Sequence, residues 1–239
     1  MALGTPTLLG GLVDGVDRNA YTITGLTTPI ANADVFVAIL NTKAALPDEV
    51  FSVSGCNLTW SACPATSTVT WDVALKRVTW WKGKGASPSG TSVTVDFNGV
   101  TQTGFIGAVI QITGADITTP VVQATTNSAL AATSLDLTLS GLLSTSIHLA
   151  AYGVDGNTDI LVESGATELY DDNIGAPTAR MAVHYRLGES VLTANTGAIS
   201  RDWGGVGIEV QEPVAAGGVP YPRLERWIRG LERWLAGVQ

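Results

Sequence analysis

Thr91-Ser-Val-Thr-Val-Asp-Phe97 and, a few residues on, Phe105-Ile-Gly-Ala-Val-Ile-Gln-Ile-Thr113 decide the fold class. In the first, Val93, Val95 and Phe97 point one way while Thr94 and Asp96 point the other, the two-residue period of a strand with one buried face. In the second, Ile106, Ala108, Ile110 and Ile112 share a face. The same alternation returns in Leu135, Leu137 and Leu139, and in Met181, Val183, Tyr185 and Leu187. Further strands are predicted at residues 35–40, 58–61, 77–82, 147–152, 159–163 and 206–210. Gly, Pro, Asn, Asp and Ser clusters separate about ten such runs, and no crossover helices lie between them, so parallel winding is excluded. The expected class is all-β: an antiparallel two-sheet sandwich, each sheet burying one face and leaving Thr, Ser and Asp on the other. No repeat of 20–50 residues is visible.

The tail reads differently. After a linker-like stretch at 213–220, residues 221–239 place Leu224, Ile228, Leu231 and Leu235 at spacings of four, three and four, with Trp227 and Trp234 alongside. That pattern predicts an amphipathic α-helix closing a chain whose first 212 residues form the sandwich. A helix of this length is marginal alone, so its apolar stripe is expected at an interface.

Thirteen Lys and Arg stand against twenty-one Asp and Glu, a net charge of −8. Four of the basic residues are Arg223, Arg226, Arg229 and Arg233, so the body before them carries −10. Such a surface repels polyanions, which disfavours nucleic acid and anionic membrane as partners. No apolar run reaches the roughly 20 residues of a membrane span, and the first residues lack the features of a secretory signal. The expectation is synthesis in the host cytoplasm and a final place on a particle exterior.

No nucleophile elbow, zinc-binding His-Glu-x-x-His or phosphate loop is present. Gly83-Lys-Gly-Ala-Ser-Pro-Ser-Gly90 leads from strand to strand and reads as a plain loop. The two histidines, His148 and His184, fall within alternating strands and read as sheet residues rather than catalytic ones. Tyr170-Asp-Asp-Asn173 has the oxygens for calcium but no ligand spacing, so a polar turn is favoured and no metal is expected. Glu163 and Glu168 form a carboxylate pair of the kind glycosidases use, a signal any acidic chain offers. No cofactor and no catalytic residues are expected. Cys56 and Cys63, an even count close in sequence, predict a disulfide worth about 2–3 kcal/mol. Of the adjacent Trp80 and Trp81, one must face the core; the other is a candidate for stacking on a sugar ring or for a subunit contact.

The order of segments resembles a known family. Val53-Ser-Gly-Cys-Asn-Leu-Thr-Trp60, Arg77-Val-Thr-Trp-Trp81, Thr91–Phe97, Ala108-Val-Ile-Gln-Ile-Thr-Gly-Ala-Asp-Ile-Thr-Thr-Pro120, Gly165-Ala-Thr-Glu-Leu169 and the closing 203–210 are similar to the jelly-roll (concanavalin A-like) domain of phage virion and bacterial exterior proteins. The resemblance spans roughly residues 5–212 and implies a jelly-roll architecture with no catalytic site to transfer. It implies a virion structural protein, a capsid decoration or tail appendage, whose partners are other virion proteins and itself. The alternative is a lectin or adhesin recognising a host glycan, and a hydrolase is the third reading.

Overall fold

The computed structural model describes residues 2–44, 49–64, 66–73, 75–116 and 118–213. Seventeen strands run through them: β1 (Thr7–Asp14), β2 (Ala20–Ile23), β3 (Asp34–Thr42), β4 (Ser52–Gly55), β5 (Thr59–Ala62), β6 (Thr68–Trp71), β7 (Lys76–Lys84), β8 (Val93–Asp96) and β9 (Gly104–Ile112), followed by β10 (Val121–Ala132), β11 (Ser134–Thr138), β12 (Ile147–Asp155), β13 (Leu161–Val162), β14 (Thr167–Gly175), β15 (Thr178–Leu187), β16 (Val191–Asn195) and β17 (Arg201–Val210). Every pairing is antiparallel.

The strands form four sheets, and the four are two copies of one plan. In the N-terminal unit an inner sheet runs β1-β9-β3-β7-β5, with β6 also on β7, and an outer sheet runs β2-β8-β4. In the C-terminal unit the inner sheet runs β10-β17-β12-β15-β14 and the outer sheet β11-β16-β13. Numbered within its own unit, each strand has the same neighbours in both; only the split of β5 and β6, where the second unit has the single β14, breaks the match.

Loop hydrogen bonds repeat as well. In the first unit the Leu26 amide donates to the Thr91 carbonyl (3.0 Å), Ala33 to Ile30 (3.2 Å), and Ile30 to the Gln111 side chain (2.6 Å). In the second, Leu139 donates to Ser190 (2.8 Å), Ser146 to Leu143 (3.0 Å), and Leu143 to the Glu209 side chain (3.4 Å), in the same spacing along the chain. An Asx turn recurs too, from Asn98 N to Asp96 and from Gly197 N to Asn195.

The inner sheets pack face to face over Phe36, Leu40, Trp80 and Ile110 from one unit and Leu149, Met181, Val183 and Ile208 from the other. A second core, with Tyr21, Val37, Val95 and Phe105, lies beneath the first outer sheet; a third, with Leu135, Tyr152, Leu192 and Trp203, lies beneath the second. The layer order is therefore outer, inner, inner, outer. The central strands β3 and β9 are buried along their whole length on both faces, which explains their near-continuous apolar sequence.

The sandwich of only two sheets closed by a C-terminal helix is thus corrected. The described chain is all-β with antiparallel sheets and contains no helix. Residues 221–239, with Leu224, Trp227, Ile228, Leu231, Trp234 and Leu235, lie outside the described residues, as does nearly all of the 213–220 stretch. Polar outer faces hold for the small sheets only, because each large sheet is covered on both sides.

The units interlock at their hairpins. Trp71, ending β6, lies over Gly153 and Gly204: a Cβ added at either would come within 2.4–2.5 Å of its ring. At the equivalent place in the other unit, Ile174 reaches Gly104 and Gly15. Trp80 ties the layers together by donating from its indole nitrogen to the Val206 carbonyl, 3.1 Å away.

Candidate functional site

The chemistry-bearing residues singled out in the sequence do not converge. Trp80 is fully buried in the central core, so it has no face to offer a ligand. His148 and His184 are also fully buried, between the inner and outer sheets of the C-terminal unit, and none of their four ring nitrogens has a hydrogen-bond partner. Loss of solvent holds both imidazoles neutral, lowering each to about 4; at His148 the nearby backbone of Glu189 and Ser190 works weakly the other way. The Glu168 carboxylate, 3.6 Å from His184, therefore faces a neutral ring and not an imidazolium.

Glu163 and Glu168 are held by different partners. Glu163 accepts from the Thr193 amide (3.3 Å) and sits 3.7 Å from Arg186, whereas Glu168 faces His184. Tyr170-Asp-Asp-Asn173, expected as a turn, is part of strand β14. Asp171 there takes a two-pronged bond from Arg180 (2.6 and 2.8 Å), and Asp159 adds a third contact at 2.9 Å. Among the described residues no group of three or more His, Cys, Asp or Glu is placed to hold a metal ion.

The expected disulfide is not formed. Cys56 and Cys63 are free buried thiols that belong to different cores, one under the outer sheet and one between the inner sheets. The β4–β5 turn sends them apart: Gly55 at φ 114° is followed by Cys56 and Asn57, both left-handed. A Cβ at Gly55 would collide with the Ser92 carbonyl at 2.2 Å, so only glycine permits that approach.

Among the described residues, three recesses open on the surface. One of about 260 Å³ lies where the units meet, with Thr42, Asp72, Lys76 and Pro177 in its wall; Lys76 is ion-paired to Asp72. Another of about 160 Å³ contains Asp34, Ser61, Lys82 and Lys84, with Lys84 bonded to Asp34 at 2.8 Å. The third, about 70 Å³, is lined by Glu49, Val50, Thr68, Arg77, Thr79 and Trp81.

This last groove holds the exposed member of the tryptophan pair. Odd-numbered residues of β7 face outward, past the edge of the short outer sheet, so Arg77, Thr79 and Trp81 stand in a row on one face. The Trp81 ring is half-buried against the outer core. The Thr68 and Thr79 hydroxyls are 2.7 Å apart. The Arg77 side chain is only 8% exposed and has the Glu49 carboxylate, itself 84% exposed, at 3.9 Å. Sequence reading found Trp81 but not Arg77 or Glu49. The two-residue period would have put Arg77 on the tryptophan's face; nothing in the sequence pointed to Glu49, which reaches the groove from a connection between strands.

Compared with known proteins, the chain matches no family model and no curated sequence.

Proposed function

We propose that this protein is a non-enzymatic structural component of a phage particle, displayed on its exterior as a capsid decoration or tail appendage. The observation that carries the reading is the doubling of one wound sandwich into four fused layers. With β5 and β6 counted as one strand, the strands of each unit run one-eight-three-six in the large sheet and two-seven-four in the small one. This order is similar to the winding of jelly rolls, a plan used by viral capsid and lectin domains, with the fifth strand moved to the large sheet's edge. The order supports the kinship suggested by the sequence motifs. Fusing two units through their large sheets makes a rigid body that presents Thr- and Ser-bearing outer sheets at opposite ends, such as Thr22 and Thr94, whose hydroxyls are 3.0 Å apart.

The net charge of the described body suits a displayed surface rather than one that packages nucleic acid. Mass spectrometry of purified particles, with antibody labelling of intact ones, tests the reading. The protein should copurify at a fixed stoichiometry and be labelled without disrupting the particle. Recovery only from the soluble fraction of the lysate would remove the proposal.

A further inference from the structure

The two outer cores occupy equivalent places, so each unit acts as a control for the other. Asn41 faces Arg77 as Val154 faces Arg180, and counting along the strands from these pairs equates Val35 with His148 and Trp81 with His184. The neighbouring strands equate Val109 with Gly207 in the same way. The N-terminal outer core is therefore closed by Val35, Val109 and the Trp81 ring. The C-terminal one holds two imidazoles instead, and His148 fits only because Gly207 lacks a side chain: a Cβ there would collide with its Nε2. The fold closes this layer without histidine, and a glycine makes room for one where it occurs.

Both rings are fully buried, and none of their four nitrogens has a hydrogen-bond partner. The cover over them is the small sheet β11-β16-β13, which puts Leu135, Leu137, Leu192 and Ala194 into the core. A charge formed beneath it would sit unpaired in an apolar layer, and lifting the sheet is the shortest way to water. We propose that this outer sheet is an acid-released cover: protonation of His148 and His184 in mildly acidic solution lifts it from β12 and β15 and exposes the apolar face beneath. That face carries Ala150, Tyr152, Ala182 and Trp203. The N-terminal outer sheet stays closed under the same conditions.

The charged groups around the pair do little to hold protonated rings in place. Glu209 of β17 lies across from His148, but its carboxylate is engaged by Gln123 of β10 (2.6 Å) and by the Leu143 amide (3.4 Å). Arg186 of β15, the other cross-strand neighbour of His148, repels a second cation and lies 3.7 Å from Glu163. Glu163 itself takes the Thr193 amide of the outer sheet. The backbone of Glu189 and Ser190 favours a charged His148 only weakly against burial. The Tyr152 ring, centred 5.5 Å from that of His184, donates its hydroxyl to the Leu192 carbonyl, with Asp136 of β11 acting on that hydroxyl. On β14, Glu168 stands 3.6 Å from His184. Burial and then Asp171 raise its carboxyl, so it loses its charge sooner than an ordinary glutamate as the solution acidifies.

An imidazole that binds its proton near pH 6.5 in water and near 4 under the cover favours the open state increasingly as pH falls between those values. Hydrogen exchange of the full chain, read by mass spectrometry at pH 7.5 and pH 5 and corrected for the intrinsic rate at each, tests the proposal. At pH 5 the amides of β11 and β16 should lose protection about a hundredfold or more, while their counterparts β2 and β8 change less than about fivefold. Carboxylates titrate in both units, so the counterpart sheet controls for acid as such. The double variant His148→Val/His184→Leu should remove most of the loss, and each single substitution about thirtyfold of it. The comparison of the two sheets within the parent protein stands without either variant. Equal loss in both outer sheets, no selective loss in β11 and β16, or a loss undiminished in the double variant overturns the proposal.

Discussion

His148 and His184 show how much the setting of a single side chain matters. Both sit fully buried with unpartnered ring nitrogens, and burial lowers both to about 4. The unfolded chain binds these protons near pH 6.5 while the folded chain resists them to about 4. Stability is therefore complete above pH 6.5 and falls as pH drops through the window down to 4. Each histidine costs about 3 kcal/mol across that range. Melting curves of the parent and of His184→Leu, compared from pH 7 to 4.5, should show the variant losing markedly less stability. Parallel curves would mean that the imidazole is solvated or paired. The difference between the two proteins isolates the histidine from the carboxylates that titrate in both. The sequence identified these residues as sheet histidines but could not reveal that both faces of β12 and β15 are covered.

Among elements, the β6–β7 hairpin is the one on which the junction of the units turns. Trp71 has room only because Gly153 and Gly204 lack side chains, and at the equivalent positions of the first unit stand the larger Leu40 and Ile106. Truncating Trp71→Ala should cost about 3–5 kcal/mol, the range for a large buried aromatic. Gly153→Ala should cost about 1–3 kcal/mol by overpacking against the same ring. Chemical denaturation of the double variant Trp71→Ala/Gly153→Ala should give less than the sum of the two single effects, because the smaller side chain vacates the space the new methyl needs. Strict additivity would show that the two do not compete for one volume. Edge strands were also the elements hardest to read beforehand. β10 has exposed or half-exposed residues at nearly every position, and β14 carries Tyr170-Asp-Asp-Asn173, so neither displays the alternation that revealed β8, β9, β11 and β15.

At the level of the whole molecule, each unit covers one face of its own large sheet and leaves the other to its neighbour. The face of β9 bearing Ile106, Ala108, Ile110 and Ile112 is covered only by the other unit. Scanning calorimetry should accordingly give a single transition with matching calorimetric and van't Hoff enthalpies. Residues 1–116 expressed alone should aggregate for want of a cover. Two resolved transitions, or a soluble folded fragment, would show that the central core is dispensable.

What the sequence determined by itself was local: strand positions, the buried face of most alternating runs, the antiparallel class, and the fact that only one of Trp80 and Trp81 enters the core. These follow from side-chain periodicity, which acts over a few residues. The pairing of two equivalent units, the coverage of the large sheets on both sides and the separation of Cys56 from Cys63 were decided by the tertiary structure. The two units differ in sequence while sharing strand order and loop bonding, and those emerge only when residues scores of positions apart pack together.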